Sequence, residues 1–208
     1  MRISNCGLAI VLLSALSVIS ATGQEPTKSS DSAELKKANA RPAEVISTQA
    51  EPYDGASVEK MAGQCVTLET QAGAIEIEML PDSAPEAVRN FLNLSATGAL
   101  DTTTFSRVVK DFIIQGGNLS TSEKWGAQLA QRMGRKLPDE PGLVRHERGI
   151  VSMARTDEPN SATTHFFILV GQGNHLNAKF AAFGERSPGN PLIDSLDRST
   201  ERTDRCCS

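Results

Sequence analysis

The chain has no basic excess, few histidines and, beyond its first residues, no long apolar run. With 21 Lys and Arg against 25 Asp and Glu, the formal net charge is −4. That balance argues against a nucleic-acid partner, whose phosphates call for a basic face. No later stretch approaches the ~20 apolar residues a spanning helix needs, so no stable membrane insertion is expected. The three histidines, His146, His165 and His175, sit at spacings that fit no metal motif, and neither Gly-x-Ser-x-Gly nor His-Glu-x-x-His occurs. A lone histidine at a rim more often packs or hydrogen-bonds than ligates or acts as a base. No metal and no cofactor is expected.

What is present begins with a targeting segment. Arg2 supplies a positive start, Leu8 to Ile19 an apolar core, and Ala21-Thr22-Gly23 small residues for cleavage before Gln24. Residues 1–23 therefore read as a signal peptide, and the mature protein as exported, periplasmic or secreted. No cysteine follows the apolar run, which argues against a lipid-modified mature N-terminus. Residues 24–61, rich in Ser, Ala, Pro, Lys and Glu, read as a flexible linker that cannot bury enough surface to offset its ordering entropy. The folded domain is expected over 62–208. Of the four cysteines, Cys6 would leave with the signal. Among Cys65, Cys206 and Cys207 the intramolecular pairing worth testing is Cys65 with either of the last two, and free thiols are the alternative.

Within the domain, Cys65 to Thr70 and Ala74 to Met79 read as two strands of a hairpin. In the second, Ile75, Ile77 and Met79 alternate with Glu76 and Glu78, the period of a sheet with one wet face. Ser83-Ala84-Pro85-Glu86 has the form of a capping box opening a helix whose inward face is Val88, Phe91, Leu92 and Ser95 and whose end is Gly98. Next comes the stretch around which the rest is organised. Phe105 to Val109 and Phe112 to Gln115 are β-prone runs either side of a Lys110-Asp111 turn, closed by Gly116-Gly117, where only glycine tolerates positive φ or close backbone approach. Phe105 and Arg107, two apart, would share one strand face. Leu119 to Val144 reads as a long loop in which Trp125, Leu129 and Met133 form one helical stripe, either a lid or packing cover. Its cations Lys124, Arg132, Arg135 and Lys136 read as a solvated face. Gly149 to Ala154, His165 to Val170 and Ala181 to Glu185 are further strands, and Pro191 to Leu196 a last helix.

The residues themselves add a resemblance. Phe105-x-Arg107-x4-Phe112-Ile113-x-Gln115-Gly116-Gly117, then Gly149-Ile150-Val151-Ser152-Met153-Ala154 with Phe166-Phe167-Ile168, then His175-Leu176-Asn177 with Phe183-Gly184, resemble three signature blocks of the cyclophilins, in family order. The similarity runs from about Cys65 to Leu196. It implies a mainly β fold, an eight-stranded antiparallel barrel capped by two α-helices. From Asp197 to Ser208 there is no Val, Ile, Leu, Phe or Tyr, so the apolar last strand that closes the family's barrel is expected to be missing, leaving an open edge.

The resemblance implies peptidyl-prolyl cis/trans isomerisation of X-Pro bonds in exported clients, by a monomer. Arg107, Phe112 and Gln115 would be the catalytic set. Ile113, Ala154, Arg155, His165, Phe167, His175, Leu176 and Phe180 would bind the proline-containing segment. The chain departs from the family pattern at the rim. Ser106 stands for the usual histidine, Arg155 for asparagine, His165 for glutamine, His175 for tryptophan or phenylalanine, and Phe180 for histidine or tyrosine. Ile113 replaces methionine at similar volume. A proline-peptide-binding chaperone or scaffold of the cell envelope, with weak turnover, is the alternative.

Overall fold

A computed structural model describes residues 50–187, all within one compact unit. The signal segment, most of the linker, the Pro191 to Leu196 helix, the polar tail and Cys206 and Cys207 lie outside the described residues. In chain order the elements are α1 (Val58–Met61), β1 (Cys65–Thr70), β2 (Gly73–Met79), α2 (Pro85–Ala96), β3 (Arg107–Val109), β4 (Ile113–Gly116), α3 (Ala127–Met133), β5 (Ile150–Met153), β6 (Phe166–Leu169) and β7 (Ala182–Arg186), with 3-10 turns at Leu119–Thr121 and Asn174–Leu176.

The seven strands form one curled antiparallel sheet in the order β1-β2-β7-β5-β6-β4-β3. Every neighbour pair is antiparallel. Among the described residues β1 and β3 are its end strands. The alternation on β2 holds: Ile75, Ile77 and Met79 are buried while Glu76 and Glu78 are exposed.

Alternation also sorts β4, β5 and β6 into two faces. Ile114, Val151, Met153, Phe166 and Ile168 join the main core with α2, where Phe91 meets Phe166 edge-on at 5.2 Å and lies tilted against Phe183 at 4.9 Å. Their neighbours Ile113, Ile150, Phe167 and Leu169 form a second apolar cluster with Leu176 and Ala182. One sheet thus supports two separate interiors.

Four expectations are corrected. The packed region starts before residue 62, because Tyr53, Ala56 and Met61 are buried in the main core. Tyr53 donates its N–H to Asn93 Oδ1 at 2.7 Å, and Ser57 caps α1 by accepting from Lys60 N–H at 3.3 Å. The sparse apolar residues there were too widely spaced to read as a packed segment.

The capping box does not form. Ala84 is the N-cap of α2 and makes no side-chain cap bond, and Ser83 Oγ is buried without a hydrogen-bond partner among the described residues. The helix start is closed instead by Glu140, whose two carboxylate oxygens accept from Glu86 N–H and Ala87 N–H, each at 2.9 Å. Glu86 turns to Arg89. A carboxylate at the positive end of the helix does what the serine was expected to do.

Finally, α3 carries Leu129 and Met133 onto the core, but Trp125 precedes the helix and is exposed. Nor are all four loop cations solvated. Arg132 pairs with Glu51 at 2.6 Å and donates to Asn90 Oδ1 at 2.7 Å, Arg135 reaches the same Glu51 at 3.0 Å, and Lys124 pairs with Asp101 at 3.0 Å.

Candidate active site

The site is built by register. Arg107 on β3 pairs with Gln115 on β4, Gln115 with Phe167 on β6, and Phe167 with Ser152 on β5. Cross-strand partners project to the same face, so these side chains form a row across four strands. Arg107 is exposed and donates from Nη1 toward Gln115 Oε1 at 3.4 Å, a long contact. Among the described residues no carboxylate lies within ion-pair distance of Arg107. The turn between the strands puts Asp111 at φ 56°, and Phe112, just after it, packs against the same apolar cluster that buries Ile113.

Beside this row lies the second apolar cluster. Ile113, Phe167 and Leu176 are buried in it, and Phe112, Ala154, Phe180, Val109 and Val144 pack against it. His175 stacks on Phe112 with ring centroids 5.2 Å apart and 31° between planes. Phe167 meets Phe180 edge-on at 5.9 Å. Arg155 lies over the Phe180 ring, 5.1 Å from its centroid. Its Nη1 donates to the Thr156 carbonyl at 2.8 Å and its Nη2 to the Lys179 carbonyl at 3.2 Å, while Nε is 3.6 Å from Asp139 Oδ1. Arg155 therefore braces two loops together. His165 joins through its backbone, accepting from Ala154 N–H at 2.9 Å, and burial pushes its imidazole below the ordinary histidine range.

The residues singled out from sequence are thus brought together at this row and cluster, His165 through its backbone, but Phe105 is not among them. Phe105 does not share the face of Arg107. It precedes β3 and packs against the main core, edge-on to Phe166 at 6.4 Å. The two glycines closing β4 leave room for it there. A side chain on Gly116 would press on the Phe105 and Phe166 rings, each 3.2 Å from its Cβ, and Gly117 has φ +82° with the Thr164 carbonyl and His165 Cα against it. What sequence missed is the support behind the row: buried His146, bonded to buried Ser152 at the end of the row and to half-buried Asn177, for which no spacing signal exists. A cleft of about 750 Å³ lies elsewhere, toward the end of β1, lined by Leu68, Thr70, Leu100, Phe105, Gly116 and Phe166 among others. It takes in none of the row from Arg107 to Phe167 other than the neighbours Gly116 and Phe166.

An exposed cation and an amide thus lie beside an aromatic cluster on the face of a curled antiparallel sheet in a mainly β protein. Comparison with known proteins gives the family. Residues 65–207 match the family described as cyclophilin type peptidyl-prolyl cis-trans isomerase/CLD. A peptidyl-prolyl cis-trans isomerase of Arabidopsis thaliana is 36% identical over 136 residues, covering 64% of this chain and 82% of that protein. One from Acinetobacter baylyi is 36% identical over 145 residues, covering 67% and 75%. The structure of a Cryptosporidium parvum cyclophilin type peptidyl-prolyl cis-trans isomerase, obtained in the presence of the dipeptide Ala-Pro, matches with TM-score 0.56 and 33% identity over 64% of this chain and 85% of that one. The chain belongs to the cyclophilin-type peptidyl-prolyl cis-trans isomerases. It is an enzyme of that class.

Proposed function

We propose that the enzyme acts on X-Pro bonds by holding the proline ring in the cluster of Phe112, Ile113, Phe167 and Leu176 while Arg107 stabilises the twisted amide. Amide resonance sets a barrier of ~18–20 kcal/mol to this rotation. Halfway through, conjugation is lost and the prolyl nitrogen becomes pyramidal and basic. A donor aimed at that nitrogen favours the twisted state over either planar isomer, which is what lowers a barrier. Arg107 has the right chemistry, a permanent charge on a rigid fork, and Gln115 beside it can position the flanking peptide together with the Ala154–Arg155 backbone.

The observation that carries this reading is the register pairing of Arg107 with Gln115 at the edge of the apolar cluster. The Ala-Pro dipeptide used with the Cryptosporidium parvum relative supports a proline-containing ligand. The test is the isomerisation rate of a short X-Pro peptide with the wild-type chain and Arg107→Ala. The expected result is a rate that falls by about a hundredfold or more in the variant, with Ala-Pro binding changed far less. A rate that survives the substitution removes Arg107 from the mechanism. Ala-Pro binding without any wild-type rate would leave the binding-module reading.

Export belongs to the same proposal: residues 1–23 as a cleaved signal, the segment from Gln24 to the start of the packed region as a tether, and exported proteins as clients. N-terminal sequencing of secreted material beginning at Gln24 is the expected outcome, and an intact Met1 in that material would defeat it.

A further inference from the structure

Beneath the active face lies a histidine that neither the row nor the apolar cluster uses. His146, just ahead of β5, is 1% exposed, and a buried polar ring is tolerated only when its nitrogens are satisfied. Its backbone N–H donates to Asn177 Oδ1 at 2.7 Å, and its carbonyl accepts from Gly173 N–H at 2.8 Å. Ring Nδ1 lies 3.3 Å from the same Asn177 Oδ1, and Nε2 lies 3.0 Å from Ser152 Oγ. An amide oxygen can only accept, so Nδ1 carries the proton, and Nε2 then accepts from the Ser152 hydroxyl. One neutral tautomer satisfies both contacts.

Those contacts join the two walls of the cluster. The segment from Gly173 to Asn177 carries His175, which stacks on Phe112, and Leu176, which is buried in the cluster. Ser152 is the register partner of Phe167. A serine, a histidine and an asparagine in hydrogen-bond sequence look like hydrolytic machinery, but Ser152 is fully buried and no substrate can reach its oxygen. The arrangement holds structure.

We propose that His146 is a positioning residue of the isomerase site: its Nδ1–H tautomer fixes the Gly173–Asn177 segment, and with it His175 and Leu176, against Phe112 and Phe167. This rests on the reading of that cluster as the proline pocket. Misplacing such a wall by about 1 Å is enough to cost about a hundredfold in rate. Protonation breaks the scheme, because a second ring N–H would meet the Ser152 O–H where it now finds a lone pair. Few charged groups bear on the ring. Burial is the main cause that holds the ring neutral, below the usual histidine range. The Asn177 hydrogen bond acts the other way, His175 from the 3-10 turn adds a smaller push in the same direction as burial, and Gly173 brings no charge. β5 presents Ser152, also uncharged. On the segment of His146 itself, Arg145, Glu147 and Arg148 are exposed, and Arg148 is bound to the Val170 carbonyl.

The experiment compares kcat/KM on an X-Pro peptide, and Ala-Pro binding, in variants that keep one ring contact at a time. Asparagine overlays Nδ1 and retains the Asn177 contact; glutamine overlays Nε2 and retains the Ser152 contact. The expected result is a loss of about tenfold or more in His146→Gln, largely recovered in His146→Asn. Equal losses in the two, or none in either, overturn the proposal. Should either fail to fold, Asn177→Asp decides. A carboxylate beside Nδ1 favours the imidazolium, so the acid fall-off of kcat/KM should move up by about one pH unit or more. An acid fall-off that is absent, or that stays where the wild type has it, overturns the proposal as well. A wild-type chain without rate would instead strike the isomerase reading of the pocket, a separate failure.

Discussion

Arg107 and Gln115 face each other across the β3–β4 ladder, with Nη1 3.4 Å from Oε1. A contact that long holds a guanidinium loosely in place without saturating it. Arg107→Lys keeps the charge but replaces the planar fork with a mobile point donor. The expected outcome is a kcat/KM lower by about tenfold or more with little change in melting temperature, since the residue is exposed. Peptide isomerisation kinetics beside a thermal melt check it, and full activity in the Arg107→Lys variant would show that charge alone suffices.

Glu140 accepts two backbone N–H groups at the start of α2. Glu140→Ala should destabilise the fold by about 1–2 kcal/mol, the usual cost of a lost cap. That corresponds to a lower melting temperature by roughly 2–8 °C. Ser83→Ala should cost far less, because that hydroxyl is buried without a described partner. Melts of the two variants side by side separate the sequence expectation from the cap that forms.

Gly117 and Gly55 both have positive φ, at +82° and +68°. A methyl on Gly55 meets nothing within 4 Å, whereas on Gly117 it runs into the Thr164 carbonyl. Gly55→Ala should cost about 1 kcal/mol of backbone strain. Gly117→Ala should cost clearly more, about 3 kcal/mol or beyond, and should also slow isomerisation, because the strand it displaces bears Phe167. Denaturant midpoints of the pair give the contrast.

His146 and His165 are both held below the ordinary histidine range by burial. The folded chain therefore binds these protons less well than the unfolded chain. The stability they contribute is complete above the unfolded value of about 6.5 and is lost as pH falls through the folded values. Melting temperature should decline on acidification from about pH 7 to about pH 5, and His165→Gln should flatten part of that decline. An unchanged slope in the variant would assign the whole effect to other groups.

Where the sequence spoke through period or backbone, it spoke clearly. The β2 alternation, the inward face of α2 and the glycines after β4 all follow from a strand period, a helix period and a steric limit that each act within a few residues. The site row was legible for another reason, the order of its motifs. Interactions between distant segments were not. Nothing near Ser83 announces that Glu140 takes the cap, nothing in the spacing of the histidines distinguishes buried His146 from the rim, and Phe105 leaves the face of Arg107 because the strand begins two residues later than its pattern implied. Each of those outcomes depends on a partner many residues away.

The closing of α2 has a consequence in time as well as in space. Its first amides wait for a carboxylate that lies 54 and 53 residues further along the chain. During synthesis the helix can wind as soon as Pro85 to Ala96 has emerged, but its opening turn stays capped by water until Glu140 arrives. Long-separation contacts of this kind slow folding, because a large loop must close before the contact is made. The helix at the centre of the core is therefore begun early and finished late.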